Sequence, residues 1–113
     1  MVNNMNIIKV EDIVKRLKEH KFEFAFGTYK DKLDKDRYVV IEIEKTNNIY
    51  ADNKIYMSIR DINLYLIQKY KEKNIEKQIE ENILEDIIWE SEEFENEEEE
   101  IYIVKYSFEI TEL

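Results

Sequence analysis

Residues 54–67, KIYMSIRDINLYLI, followed after a short charged connector by residues 72–85, EKNIEKQIEENILE, decide the fold. The first segment alternates as a strand does: Ile55, Met57 and Ile59 share one parity. After Arg60 and Asp61 the apolar residues switch to Ile62, Leu64 and Leu66. A phase shift of one residue exchanges the two faces of a strand. Two readings are open. A β-bulge near Arg60–Asp61 restores the facing, or the first half buries its odd face against something other than the domain's own helices, such as a neighbouring subunit. Gln68–Asn74 is the connector, with Asn74 available as a late helix cap. In the second segment Ile75, Ile79 and Ile83 fall at i, i+4 and i+8, and Leu84 widens the stripe. Glu76, Lys77, Glu80 and Glu81 are expected to face water, as on a surface helix over Glu72–Glu85.

Working outward, residues 1–6 are polar and expected to fray. Ile7, Val10, Ile13, Val14 and Leu17 have helical spacing and predict a first helix over 6–20, with Asn6 as its cap. Phe22, Phe24 and Phe26 have period two and predict a strand, and Gly27 marks a bulge or a close backbone approach. Residues 30–37 read as a solvated loop. Tyr38–Glu44 is the second strand. Thr46–Asn53 reads as a loop or wide turn whose apolar residues Ile49, Tyr50 and Ala51 pack against something. Beyond the second helix, Ile87–Phe94 is a strand carrying Trp89, and Glu95–Glu100 is an acidic turn. Ile101–Thr111 has Tyr102, Val104, Tyr106, Phe108 and Ile110 on one parity, the clearest alternation in the chain. The order α-β-β-β-α-β-β predicts an α+β fold: two layers, a mainly antiparallel sheet of four to five strands, and two helices on one face.

The chain has 113 residues, which predicts a single domain over 1–113. Hydrophobic residues make up 43% and aromatic residues 12%, which argues against disorder despite 39% charged residues. The net charge of −10 points away from a free nucleic-acid binder. It does not exclude a protein that must let DNA slide past without sticking. There is no cysteine, hence no disulfide framework. No apolar run approaches the roughly 20 residues of a membrane span, and the reading is of a soluble protein without a secretory signal.

Little in the sequence carries chemistry. His20, the one histidine, follows the first helix with no partner at a recognisable spacing. Asp31, Asp34 and Asp36 lack the ligand spacing and the glycine turn of a calcium loop. Glu42 and Glu44 share a strand face but read as a solvated strand end. Glu97–Glu100 reads as a solvated turn. There is no phosphate-cradling glycine loop and no nucleophile elbow. No catalytic residue, cofactor or metal is expected, and the protein is not expected to be an enzyme.

One stretch carries more. Tyr50-Ala51-Asp52-Asn53-Lys54-Ile55-Tyr56, then Ile62-Asn63-Leu64-Tyr65-Leu66, then Ile75-Glu76-Lys77-Gln78-Ile79-Glu80, and Trp89 ahead of Tyr102 and Tyr106, resemble the tail-completion proteins of long-tailed phages and prophages of low-GC Gram-positive bacteria. These are the tail-terminator or head–tail joining proteins. Phe24-Ala25-Phe26-Gly27 resembles their first strand, so the likeness covers residues 22–110. The chain departs from the pattern at Asp36-Arg37, where relatives carry a proline, and at Leu66, where they carry a threonine. The resemblance implies a ring, a hexamer, at the head-proximal end of the tail. Such a ring stops polymerisation of the tail-tube protein and presents a surface to the head connector, while DNA passes through without specific binding. It implies a location in the virion tail, with assembly in the host cytoplasm, and no membrane. Tyr50, Asp52, Asn53, Tyr56 and Met57 are the expected subunit or tube contacts. The competing reading of the same acidic chain is a DNA-mimicking inhibitor or an antitoxin-type binding protein.

Overall fold

The computed structural model describes residues 6–28 and 35–113. Helix α1 (Val10–Glu19) is followed by strands β1 (Phe24–Phe26), β2 (Arg37–Ala51) and β3 (Lys54–Gln68). Helix α2 (Lys73–Gln78) continues into a π-helical segment (Ile79–Ile83), and strands β4 (Glu90–Asn96) and β5 (Ile101–Glu112) complete the chain. The strands form one sheet in the order β1-β2-β3-β5-β4, so the architecture is α+β with the element order expected. Among the described strands, β1 and β2 run parallel, with Phe24 opposite Val39 and Phe26 opposite Ile41, and the other strand pairs are antiparallel. Residues 1–5 and 29–34 lie outside the described residues, and with them the expected frayed terminus, most of the charged loop, Asp31 and Asp34.

The helix-facing core follows the periodicities closely. Ile13 and Leu17 of α1, and Ile79, Ile83 and Leu84 of the second helix, pack on Val39, Ile41, Ile62, Leu64, Leu66, Val104, Tyr106, Phe108 and Ile110. Trp89, just before β4, meets Tyr106 edge to face at 5.2 Å between ring centroids. The Leu84 N–H donates to the Ile79 carbonyl five residues back, at 2.9 Å. That wide turn brings Ile79, Ile83 and Leu84 onto the sheet together. Arg16 ties the helices: it donates to the Ile83 carbonyl at 2.9 Å and to both Asp86 carboxylate oxygens at 2.7 and 3.1 Å. This bidentate contact holds the Asp86 carboxyl below its ordinary range. A second apolar cluster, Tyr38, Val40, Tyr65, Ile67 and Ile103, has the opposite strand parity and so lies on the other face of the sheet.

Several expectations are corrected. Helix α1 starts at Val10, where Asp12 reaches back to the Lys9 N–H at 3.1 Å. Asn6 is no helix cap. It is 8% exposed, its Oδ1 accepts the Ile88 N–H at 3.0 Å, and its Nδ2 donates to the Glu109 carbonyl at 2.8 Å. It therefore pins the N-terminal segment across the edge of the core. Asn74 does not cap α2 either, since the cap position is Glu72. The supposed solvent face of the second helix is partly buried: Glu76 is 8% exposed, and Glu80 accepts the Tyr106 hydroxyl at 2.8 Å. The sheet reaches further under this helix than a one-stripe pattern requires.

The phase shift in β3 has a different origin from a bulge within it. Against β5, β3 pairs without interruption from Ser58 opposite Glu112 to Gln68 opposite Tyr102. The irregularity lies in β2, where Glu44 is the extra residue between Ile43, opposite Ile62, and Lys45, opposite Asp61. Because β3 stays regular, Met57 and Ile59 share parity with Tyr65 and Ile67, on the face away from the helices.

Candidate functional site

Thr46–Asn53 is not a loop. Strands β2 and β3 continue as a two-stranded ribbon to a two-residue turn at Asp52 and Asn53, whose φ angles are 53° and 63°. Two successive left-handed residues match the right-handed twist of a hairpin, and Asp and Asn tolerate that region better than most residues. Strand β1 stops opposite Ile41, and β5 stops opposite Ser58. Beyond those points, among the described residues, the ribbon has no neighbouring strand. A 15-residue strand spans about 50 Å, and the molecule's long dimension is 51 Å against 27 and 24 Å for the others. The ribbon therefore projects as an arm.

Its surface is unusual for an arm in water. Tyr50, Ile55 and Tyr56 are 63%, 58% and 61% exposed, and Ile43 and Ile49 are exposed as well. Met57 is half-buried. A second register irregularity between Ile49 and Tyr50, where Tyr56 is the extra residue on β3, sets Tyr50 opposite Ile55 and Ile49 opposite Met57. Both sides of the ribbon are consequently apolar near its tip. A solitary hairpin is marginal in water, and the arm is secured at its base by polar pairs. Ser58 Oγ donates to Asn48 Oδ1 at 2.6 Å, and Arg60 donates to Thr46 Oγ1 at 3.4 Å and to Glu112 Oε2 at 3.2 Å.

The structure brings together all five sequence-predicted contact residues: Asp52 and Asn53 form the turn, and Tyr50, Tyr56 and Met57 flank it. Ile49 and Ile55, already expected to pack against something outside the domain's own helices, extend the apolar surface, and exposed Ile43, for which the sequence carried no such expectation, lies nearer the core. The available signal for the hairpin was the Asp-Asn pair between two apolar stretches.

The remaining candidates take up other places. Glu42 and Glu44 do not end a solvated strand independently; Asn63 Nδ2 donates to both, at 2.8 and 3.3 Å, and the Tyr65 hydroxyl donates to Glu42 at 3.2 Å. Ser107 completes this polar chain by donating to Asn63 Oδ1 at 2.9 Å. His20 is exposed at the C-terminal end of α1. The acidic residues Glu97–Glu100 form the exposed turn between β4 and β5. Among the described residues, no three His, Asp or Glu side chains converge as a metal ion would need. In comparison with known proteins, the chain matches no family model, and no curated protein matches it.

Proposed function

We propose that the protein is a structural phage component that closes into a ring at the head-proximal end of a tail, terminates the tail tube and joins tail to head. The observation that carries this reading is the projecting arm. The sheet extends two strands beyond its own core and presents Ile49, Tyr50, Ile55 and Tyr56 to solvent. An apolar arm of this kind needs a partner surface to cover it. A heterologous contact from arm to neighbouring body, repeated by rotation, closes a ring. Tyrosine is well suited to such contacts, giving large area at low entropic cost with a polar tip. The family resemblance supplies the role. The net charge of −10 supports it, since like charge keeps passing DNA from sticking to a ring's lumen.

The test is solution mass together with electron microscopy of the purified protein, alone and with a tail-tube protein. Rings of about six copies, free or capping tube ends, support the reading. A species that stays monomeric and ignores the tube contradicts it.

One observation favours a second reading. The edge strand β4 carries Glu90, Glu92, Glu93 and Glu95, and it leads into the exposed run Glu97–Glu100. Alternate strand residues repeat at roughly 6–7 Å on one face, so this edge presents a ladder of carboxylates to a basic partner. Tight one-to-one capture of a basic enzyme by the tube-indifferent monomer would favour that inhibitor role. The same carboxylates also serve as ordinary protection of a sheet edge against unwanted pairing.

A further inference from the structure

We propose that the tip of the arm docks, in a second copy of this chain, into the apolar groove between α1 and the edge strand β1. This contact rests on the ring reading and names the surface that receives the arm. Val10 and Val14 of α1 and Phe26 of β1 form the groove, with Glu11, Lys15 and Lys18 along its lip. Its volume is about 470 Å³, in the range of sites that bury a small organic group. Phe26 has the parity of Phe24, which packs on the helix-facing core, and the two rings meet edge to face at 6.4 Å. Yet Phe26 itself is 53% exposed. It lies opposite Ile41, and exposed Ile43, further along the same face, continues the apolar surface toward the root of the arm. Strand β1 is at the edge of the sheet, so among the described strands none flanks it on the outside.

Distance, shape and charge select the arm of another copy as the occupant. Along an extended strand, the span from Ile43 to the turn at Asp52 is about 30 Å. A copy's own tip therefore points away from its own groove and cannot fill it, so the two surfaces meet only between copies. One is convex, with Tyr50, Ile55 and Tyr56 exposed around the turn, and the other is concave; both are apolar. Two different patches that complement each other are what a heterologous, ring-closing contact requires. Glu11, Lys15 and Lys18 fall at i, i+4 and i+7 and so lie in one row on α1. The tip carries Asp52 in the turn and Lys54 beside it. Asp52 matches the two lysines and Lys54 matches Glu11. Two lysines beside an apolar groove stand out on a chain of net charge −10. Lys15 lies 4.0 Å from Glu19, but both side chains are exposed, so that pair is worth little and exchanges readily for a new partner.

The chain has no cysteine, so single introduced cysteines report the contact without background. Ala51→Cys marks the tip and Lys18→Cys the lip, both at exposed positions, with Lys15 left in place. The two variants are mixed, with and without a tail-tube protein, and treated with a short bismaleimide, while the parent is followed by electron microscopy under the same conditions. The expected result is a covalent dimer joined through positions 51 and 18. Its yield should exceed several-fold that of either variant alone, and that of Ala51→Cys mixed with Glu98→Cys from the acidic turn. Phe26→Ala in the Lys18→Cys copy should cut the yield about fivefold or more, as for loss of a central aromatic contact. Asp52→Asn in the tip copy keeps the turn and should lower the yield less, by an amount that disappears in high salt. A background yield while the parent forms rings overturns the groove as the arm's receptor and leaves the ring reading standing. A specific link without rings upholds the contact between copies and contradicts ring closure. Neither link nor rings overturns both. Loss of the link when the tube protein is added overturns the proposal and gives the groove to the tube. A yield unchanged by Phe26→Ala, in a variant with parent-like circular dichroism, overturns it as well.

Discussion

Arg60 Nε donates to Glu112 Oε2 at 3.2 Å, diagonally across β3 and β5, at the point where the sheet narrows to two strands. The other oxygen of Glu112 accepts the Val10 N–H at 2.9 Å, at the start of α1. One carboxylate near the C-terminus thus anchors both the root of the arm and the first turn of a helix. Glu112→Ala is expected to cost about 1–3 kcal/mol, as for charge-assisted hydrogen bonds lost from a partly buried site. Glu112→Gln, which keeps an acceptor, loses less. Urea unfolding measures the cost. Amide exchange over residues 46–57 is expected to speed up in the alanine variant, and unchanged exchange there would detach the arm from this anchor.

Asn6 predicts a second stability effect. Asn6→Ala removes the acceptor of the Ile88 N–H and the donor to the Glu109 carbonyl while leaving the backbone pairing of Asn6 with Thr111 in place. Two part-buried backbone groups lose these partners, at about 1–2 kcal/mol together. Chemical denaturation with an unchanged m-value is the expected signature, and a loss below about 0.5 kcal/mol, typical of an inert surface site, would contradict it.

Glu76 makes stability depend on pH in an identifiable direction. Burial and the hydrogen bond to Glu93 raise its carboxyl above the ordinary range, while Lys71 opposes them. A folded pKa above the unfolded value, near 4.3, means that stability falls as pH rises from about 4 through the folded pKa. Glu76→Gln is therefore expected to unfold at higher urea than the parent at pH 7. The gain should vanish as pH falls to about 4. A gain independent of pH would assign the effect to packing.

Tyr106 acts at the other end of the scale. Burial, and then its hydrogen bond to Glu80, raise its hydroxyl pKa well above the ordinary tyrosine value. The folded state keeps a proton that the unfolded chain releases near pH 10. The stability this represents is complete below that pH and is lost as pH rises beyond it. Alkaline unfolding of Tyr106→Phe should be shallower than that of the parent, measured as urea midpoints on either side of pH 10. Equal slopes would place the alkaline sensitivity elsewhere.

What the sequence made legible follows from how each element is held. Strand β5 and the stripe Ile79, Ile83 and Leu84 could be read because burial alone fixes their period. The arm could not, because Thr46, Asn47 and Asn48 have turn-like propensity and become strand only through pairing with Arg60, Ile59 and Ser58. The shift at Arg60–Asp61 was visible, and β3 runs through it without a bulge, so Met57 and Ile59 face away from the helices; the bulge lies on the neighbouring strand, at Glu44, where no local pattern in β3 could show it. Gln68 and Glu76 look like ordinary connector and surface residues until the sheet edge and the helix close over them. The five expected contact residues rest on the resemblance, and the structure places them around one turn that the sequence reads as a loop.

The role of the arm is decided by Tyr50→Ala combined with Tyr56→Ala, measured by sedimentation velocity and electron microscopy in the presence of a tail-tube protein. Both side chains are exposed in the monomer, so circular dichroism and the unfolding midpoint should stay close to those of the parent. The expected result is a folded protein that no longer forms rings and no longer caps tubes. Intact rings and capped tubes in the double variant would contradict the assignment of the arm as the assembly surface.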